Sequence, residues 1–322
     1  MKAIRVSEAG GPEVLEYREV SDPVAGPGDL LVSVEAAGVN YIDTYQRTGL
    51  YAMSLPYTPG LEGAGVVREV GSSVSGFSVG DRVAWNGVLG SYAPLITLPA
   101  DKAVRVPVGV ELRDACQAML QGLTAHYLVT SVFAVGPGHT ALVHAAAGGV
   151  GLLLTQMIKA RGGIVIGTVS TEAKADAARE MGADHIIRYD KGDFMPMVRE
   201  LTQGLGVDVV YDGVGASTFE KSLHSLKVRG TLALFGQASG PVVSFDPLIL
   251  NTLGSLILTR PSLAHFTQTP EELHGRASEV FDDLAASRLK LTLGGEYPLA
   301  EARQAHIDLE SRKTSGKLLL IP

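Results

Sequence analysis

His144-Ala-Ala-Ala-Gly-Gly-Val-Gly151 is the stretch on which the reading of this chain turns. Its opening residues close the apolar run Ala141–Ala146, whose lack of alternation predicts a parallel strand buried on both faces. An amphipathic helix is predicted over roughly 149–161. Between the two, Ala146-x-Gly148-x-x-Gly151 has the spacing of a dinucleotide-binding turn, with Ala in place of the first Gly. Gly148 leaves room for a pyrophosphate to approach the backbone, and Gly151 allows the helix to pack close to the sheet. The N–H groups and positive end of a helix starting near Gly149 stabilise phosphate charge. A tight turn without a ligand does not account for the glycines packed together here.

Working outward, strand and helix signals alternate. Strands are predicted at Ile164–Val169, His185–Tyr189, Val207–Tyr211 and Thr231–Phe235. Helices are predicted over Glu172–Met181, near Asp193–Thr202 and over Ser217–Leu226. Repeated βα units of this kind predict an α/β fold with a doubly wound parallel sheet. Before residue 120 the rhythm differs. Short β runs at Ala3–Val6, Leu30–Ala36, Gly65–Val70 and Arg82–Trp85 are separated by Gly-Pro, Pro-Gly and Gly-Asp turns, as in a compact, irregular β domain. After residue 260 come one long helical pattern, Pro270–Ser287, and the apolar strand Lys317–Ile321. The pattern leaves open whether that strand joins the β domain or the parallel sheet.

The choice of cofactor follows from a missing acid. An NAD site wants a carboxylate at the end of the second strand, about 20 residues past the first glycine, to hold the ribose hydroxyls. Here that place reads Gly167-Thr168-Val169-Ser170, with Lys174 at the start of the next helix and Tyr189 ending the third strand. A cation with hydroxyl donors suits a 2′-phosphate, so NADPH is expected over NADH. Lys174 as a solvated helix-face lysine, and Tyr189 as rim packing, are the plainer alternatives.

No metal site is expected. Cys116 is the single cysteine, and the eight histidines include no H-x3-H pair. Cys116 reads as a small buried filler and His144 as a satisfied core histidine. One cysteine also makes an internal disulfide impossible, which fits a reducing compartment. MKAIRVSEAG lacks the apolar run of a secretion signal, and no stretch reads as a membrane span, so the expected location is cytoplasmic. The net charge of −7 counts against a nucleic-acid partner.

Several further segments carry a resemblance: Ala37-Gly-Val-Asn-Tyr-Ile-Asp43, Pro59-Gly-Leu-Glu-Gly-Ala-Gly65, Gly80-Asp-Arg-Val83, Gln121-Gly-Leu-Thr124, Thr259-Arg-Pro-Ser262 and Glu310-Ser-Arg312. With the glycine turn, they make the whole chain resemble the zeta-crystallin-like quinone oxidoreductases, a zinc-free branch of the medium-chain dehydrogenase/reductase superfamily. The superfamily's zinc alcohol dehydrogenases have a cysteine where this chain has Asn40 and a histidine where it has Leu61.

The resemblance implies a Rossmann doubly wound parallel sheet inserted into a GroES-like, mostly β catalytic domain. The catalytic domain is expected at 1–122 and 264–322, and the Rossmann domain at 123–263. It implies a homodimer, NADPH as electron donor, and a quinone acceptor in the interdomain cleft. Asn40, Tyr45 and Tyr51 are implied to line the catalytic site. Gly149, Val150 and Gly151 are implied to hold the pyrophosphate, and Ser170, Lys174 and Tyr189 the 2′-phosphate. Gly236, Gln237, Ala238 and Ser239, then Pro261, Ser262 and Leu263, are implied to close round the nicotinamide. Arg312 is implied as a further phosphate-side cation, though on residue chemistry alone it reads as a surface arginine.

Asp43 is expected to serve as an acid at a helix N-terminus rather than as an orienter of substrate. No general acid stands out, so protons are expected from water, and electrons pass as hydride or singly. Two other functions stay open, and the sequence separates the first of them poorly from quinone reduction. One is reduction of the C=C bond of 2-alkenals, enones or enoyl thioesters. The other is an NADPH-binding crystallin-like structural or RNA-binding role.

Overall fold

The computed structural model describes residues 1–322. The chain forms two compact units, Met1–Leu123 with Thr267–Pro322, and Thr124–Phe266. No helix is long and apolar enough to cross a membrane.

The inserted unit is built on a six-stranded parallel sheet. In spatial order its strands are His185–Arg188, Ile164–Val169, Thr140–Val143, Val207–Asp212, Leu226–Leu234 and Ile257–Thr259. Chain order reverses between Thr140–Val143 and Val207–Asp212, which makes the carboxyl ends of those strands the switch point where ligands bind in such sheets. Val207–Asp212 is buried along its whole length, as an apolar run covered on both faces must be. Leu142, Ile166, Val210, Leu223 and Leu232 form the centre of its core.

Two expected strands shift for local reasons. The run Ala141–Ala146 stops pairing at Val143 because Ala145 takes the left-handed conformation (φ 51°) and starts the glycine turn. The strand expected at Thr231–Phe235 begins at Leu226, and a bulge containing Arg229 (φ 61°) offsets its pairing with Val207–Asp212. Helix starts are fixed by side-chain caps. The Thr171 hydroxyl accepts from the Lys174 N–H before Glu172–Glu180, and Asp193 accepts from the Met195 N–H before Phe194–Leu201.

The outer unit holds a seven-stranded sheet organised by Asp29–Val39. One stretch of this long strand pairs antiparallel with Leu95–Pro99, and its far end pairs antiparallel with Lys317–Ile321. Glu62–Val70 runs along its other edge. Lys317–Ile321 therefore belongs to the β unit, with Leu318 opposite Val39 and Leu320 opposite Ala37. It lies between Asp29–Val39 and Leu293–Pro298, and Leu318, Leu319 and Leu320 are all buried. Lys2–Arg5 and Glu16–Glu19 make a separate hairpin. The core gathers Ile4, Leu30, Val67, Trp85, Tyr92 and Leu320.

Candidate functional site

The glycine turn is arranged as an anion seat. Gly148 precedes helix Gly149–Ala160 in an extended conformation and supplies no side-chain cap. The N–H groups of Gly149, Val150 and Gly151 meet no acceptor within the chain, so the first turn keeps its donors for a ligand. A Cβ on Gly148 would meet only the Ala145 carbonyl oxygen, at 3.1 Å. A Cβ on Gly151 would meet the same oxygen at 2.4 Å and Ala146 Cα at 2.8 Å. The two glycines thus serve different ends, Gly148 leaving space above the turn and Gly151 letting the helix close onto it. This geometry suits a pyrophosphate.

One strand away, Ser170 and Tyr189 follow the ends of paired strands, and Lys174 opens the helix after the first of them. Ile164–Val169 and His185–Arg188 pair in parallel and end level with each other, and the Tyr189 N–H donates to the Val169 carbonyl at 3.1 Å. Lys174 lies in the first turn of the next helix, half-buried, and that burial lowers its pKa. A partly desolvated ammonium gains most from an anionic partner. Glu172 pairs with Arg179 at 2.8 Å and Arg188 at 2.9 Å, and Asp190 pairs with Arg188 at 2.6 Å. These residues fit a ribose carrying a 2′-phosphate.

Gly236–Ser239 and Pro261–Leu263 follow adjacent parallel strands and lie at the same edge of the sheet. The first of these loops is fastened to the turn Gly213–Gly215. The Ala238 N–H donates to the Gly213 carbonyl at 3.2 Å, and the Ser239 N–H to the Val214 carbonyl at 2.7 Å. The Ser239 hydroxyl donates to Val214 O and accepts from the Ser217 N–H. Ser239 is therefore engaged in holding loop to loop, where the resemblance implied a ligand contact. A Cβ on Gly236 would meet Gly213 O at 2.5 Å, so glycine there permits the contact. Beyond Leu263, Phe266 stacks on Tyr127 with ring centroids 4.4 Å apart.

In the outer unit, Asn40 is not an open donor. It is buried, its Nδ2 donates to Glu62 Oε2 at 2.8 Å and to Gly38 O at 3.4 Å, and its Oδ1 accepts from Lys317 Nζ at 2.7 Å. Asn40 also caps helix Tyr41–Arg47 in a reciprocal box with Asp43. A direct bond from Asn40 to a substrate, as anticipated from the resemblance, competes with these internal partners. Tyr45 and Tyr51 do meet, edge to face, with centroids 5.4 Å apart. The Tyr51 N–H donates to Tyr45 O at 3.0 Å, and the Tyr51 side chain is partly exposed. Arg312 lies exposed in the turn after helix Ala302–Glu310, with φ 57°.

Beneath helix Tyr41–Arg47 runs a buried polar chain. Asp43 Oδ2 accepts from the Asn40 N–H and the Tyr92 hydroxyl, and burial pushes its carboxyl pKa up to about 7. Arg47 Nη1 lies 3.0 Å from His306 Nδ1, and His306 Nε2 lies 3.1 Å from the Tyr92 hydroxyl. A guanidinium can only donate, so Nδ1 accepts and the neutral imidazole carries its proton on Nε2. Burial, and then Arg47, bring the His306 pKa down to about 3. Asp43 is thus the helix-start acid expected, tied into a network that its sequence neighbours do not announce.

Glu62, Lys317 and Asp212 were not singled out from the sequence. Each breaks an apolar pattern, Glu62 and Lys317 by opening apolar strands and Asp212 by ending one ahead of Gly-Val-Gly. No cluster of His, Cys, Asp and Glu side chains is placed to hold a metal ion, and Cys116 is buried.

A parallel sheet with a glycine turn at its switch point, inserted in a unit built on antiparallel β structure, defines a dinucleotide-dependent oxidoreductase of the medium-chain class. Residues 26–108 match the alcohol dehydrogenase GroES-like domain family, and 149–274 match a family described as zinc-binding dehydrogenase. A quinone oxidoreductase of Pseudomonas aeruginosa is 45% identical over 100% of this chain and 99% of its own. A mycobacterial structure solved with NADPH superposes with a TM-score of 0.97 at 52% identity over the whole of both chains. A 2-haloacrylate reductase of Burkholderia is 40% identical over 98% of each chain. The chain belongs to the quinone oxidoreductase family of the medium-chain dehydrogenase/reductase superfamily.

Proposed function

We propose that this protein reduces quinones with NADPH, bound through the turn Gly148–Gly151 and the corner Ser170, Lys174 and Tyr189. One pairing of features carries the reading. A helix start keeps its N–H groups for an anion, and the half-buried Lys174 opens the helix that follows the next strand, where no carboxylate ends the strand. When bound, NADPH supplies hydride or single electrons, and the protein supplies binding and orientation. Gly236, Gln237, Ala238 and the segment Pro261–Leu263 are assigned to the nicotinamide end, and Arg312 to the phosphates.

Tyr45 and Tyr51 are assigned to the acceptor. Their edge-to-face packing offers an aromatic wall, and flat conjugated rings gain from such contacts. Asn40 acts through others, fixing the start of the helix that carries Tyr45. Asp43 is fully buried behind Tyr92, so proton delivery to the reduced acceptor is assigned to water.

Reduction of an activated C=C bond is the second reading, favoured by the Burkholderia relative named for that activity. NADPH oxidation measured against quinones, alkenals, 2-haloacrylate and enoyl thioesters, with NADH in parallel, separates the two. Turnover confined to alkenes overturns the quinone assignment. We further assign the protein as a cytoplasmic homodimer. Strand Ile257–Thr259 ends the sheet order, and Ile257 on it is 55% exposed, an apolar edge suited to a second copy.

A further inference from the structure

The strand ends that carry the cofactor loops are joined beneath the surface by side chains the proposed chemistry does not use. His144 Nδ1 lies 3.0 Å from the Thr168 hydroxyl, and its Nε2 lies 3.0 Å from the Ser222 hydroxyl. Ser222 donates to Asp212 Oδ2 at 2.9 Å, and Thr218 donates to the same oxygen at 2.7 Å. Asp212 Oδ1 accepts from the N–H groups of Val214 at 2.8 Å and Gly215 at 3.0 Å. His144, Thr168, Asp212 and Ser222 are all buried.

Donor arithmetic fixes the direction of this chain. Ser222 has one hydroxyl proton and gives it to Asp212, so His144 Nε2 donates to Ser222 and Nδ1 accepts from Thr168. Burial lowers the His144 pKa and keeps the imidazole neutral, as that arrangement requires. Phe194 packs edge-on against the ring at 4.7 Å and holds its plane.

The mechanical consequence lies at one end of the cofactor seat. The Asp212 carboxylate closes the turn Gly213–Gly215, in which Gly215 has φ 91°. The carbonyls of Gly213 and Val214 then receive Ala238 and Ser239, while the Asp212 carbonyl receives the N–H groups of Phe235 and Gly236. The loop Gly236–Ser239 thus inherits its position from Asp212. The corner Ser170, Lys174 and Tyr189 is held separately, by the Thr171 cap and the Tyr189–Val169 backbone bond.

We propose that His144, Ser222 and Asp212 are positioning residues for the nicotinamide end of NADPH, acting as a buried clamp on the loop Gly236–Ser239. This rests on the NADPH reading above. The test measures binding of NADPH and of adenosine 2′,5′-bisphosphate to the full wild-type chain, Asp212→Ala and Ser222→Ala by calorimetry. Asp212→Ala is expected to weaken NADPH at least about tenfold and the bisphosphate by less than about twofold. Ser222→Ala removes a single hydroxyl, shows the same split more weakly, and carries the comparison if Asp212→Ala does not fold. Nitrogen-15 NMR of the wild-type protein should report His144 as the neutral Nε2–H tautomer. Equal weakening of both ligands, no weakening of either, or an Nδ1–H tautomer overturns the clamp. Failure of the wild-type chain to bind both ligands overturns the NADPH reading instead.

Discussion

Glu62 and Lys317 stand 255 residues apart in the chain and form an ion pair that solvent does not reach. Glu62 is further held by the Leu120 N–H at 2.5 Å, where a wide π-type turn, Ala118–Gly122, leaves that donor outside the regular helical ladder. Breaking such a pair from one side leaves an uncompensated buried charge. Lys317→Met is expected to lower unfolding free energy by about 3–5 kcal/mol, read from denaturant curves. The double variant Glu62→Gln/Lys317→Met should recover much of that loss, and an additive pair of losses would count against the coupling.

Gly148 and Gly151 should separate binding from stability. At Gly151 a methyl group collides with backbone, so Gly151→Ala is expected to cost about 1–3 kcal/mol of stability as well as NADPH binding. At Gly148 the only close neighbour is a carbonyl oxygen at 3.1 Å. Gly148→Ala should therefore lower the melting temperature less than Gly151→Ala while weakening NADPH, as seen by cofactor titration.

Lys174→Ala tests the choice between cofactors. Loss of one charge-assisted phosphate contact corresponds to about 1.5–3 kcal/mol in NADPH binding, with NADH little affected. Equal effects on both cofactors would remove Lys174 from the 2′-phosphate site.

What could be read from the sequence follows the range of the interactions. The glycine turn and the alternation of strands and helices depend on neighbours a few residues away, and both appear where the pattern put them, apart from the strand ends shifted by Ala145 and Arg229. The partner of Lys317–Ile321 could not be read, because an apolar strand fits either sheet until its register with Asp29–Val39 is seen. The burial of Asn40 is hidden for the same reason, since its partners Glu62 and Lys317 are remote in sequence. The Ser239 hydroxyl lies between Val214 and Ser217, partners 25 and 22 residues away that its own segment does not announce.

The chain from Asp43 through Tyr92 to His306 carries two opposed pH dependences. The folded protein holds Asp43 protonated up to about 7, against an ordinary value of 3.8, so its contribution falls as pH rises through that interval. It holds His306 neutral down to about 3, against 6.5, so that contribution falls as pH drops. Between 3.8 and 6.5 the two oppose each other. Asp43→Asn should then show stability rising with pH by up to about 1.4 kcal/mol per unit, and His306→Gln should show it falling. Urea unfolding from pH 4.5 to 6.5 reads both slopes, and parallel slopes in the two variants would refute the opposition.

The proposed dimer makes a simple claim about Ile257. A lysine at this edge position is expected to lower the mass seen by light scattering from dimer to monomer while leaving the far-UV circular dichroism unchanged. A wild-type monomer would remove the assignment.

The place of Lys317–Ile321 has a consequence for the order of events during synthesis. Every residue of Thr124–Phe266 leaves the ribosome before this strand is made, so the inserted unit can fold while its host still lacks a strand between Asp29–Val39 and Leu293–Pro298. A chain interrupted before residue 317 would carry a finished nucleotide-binding body beside a sheet with a gap. Its Glu62 would lack the ammonium that meets it in the whole chain.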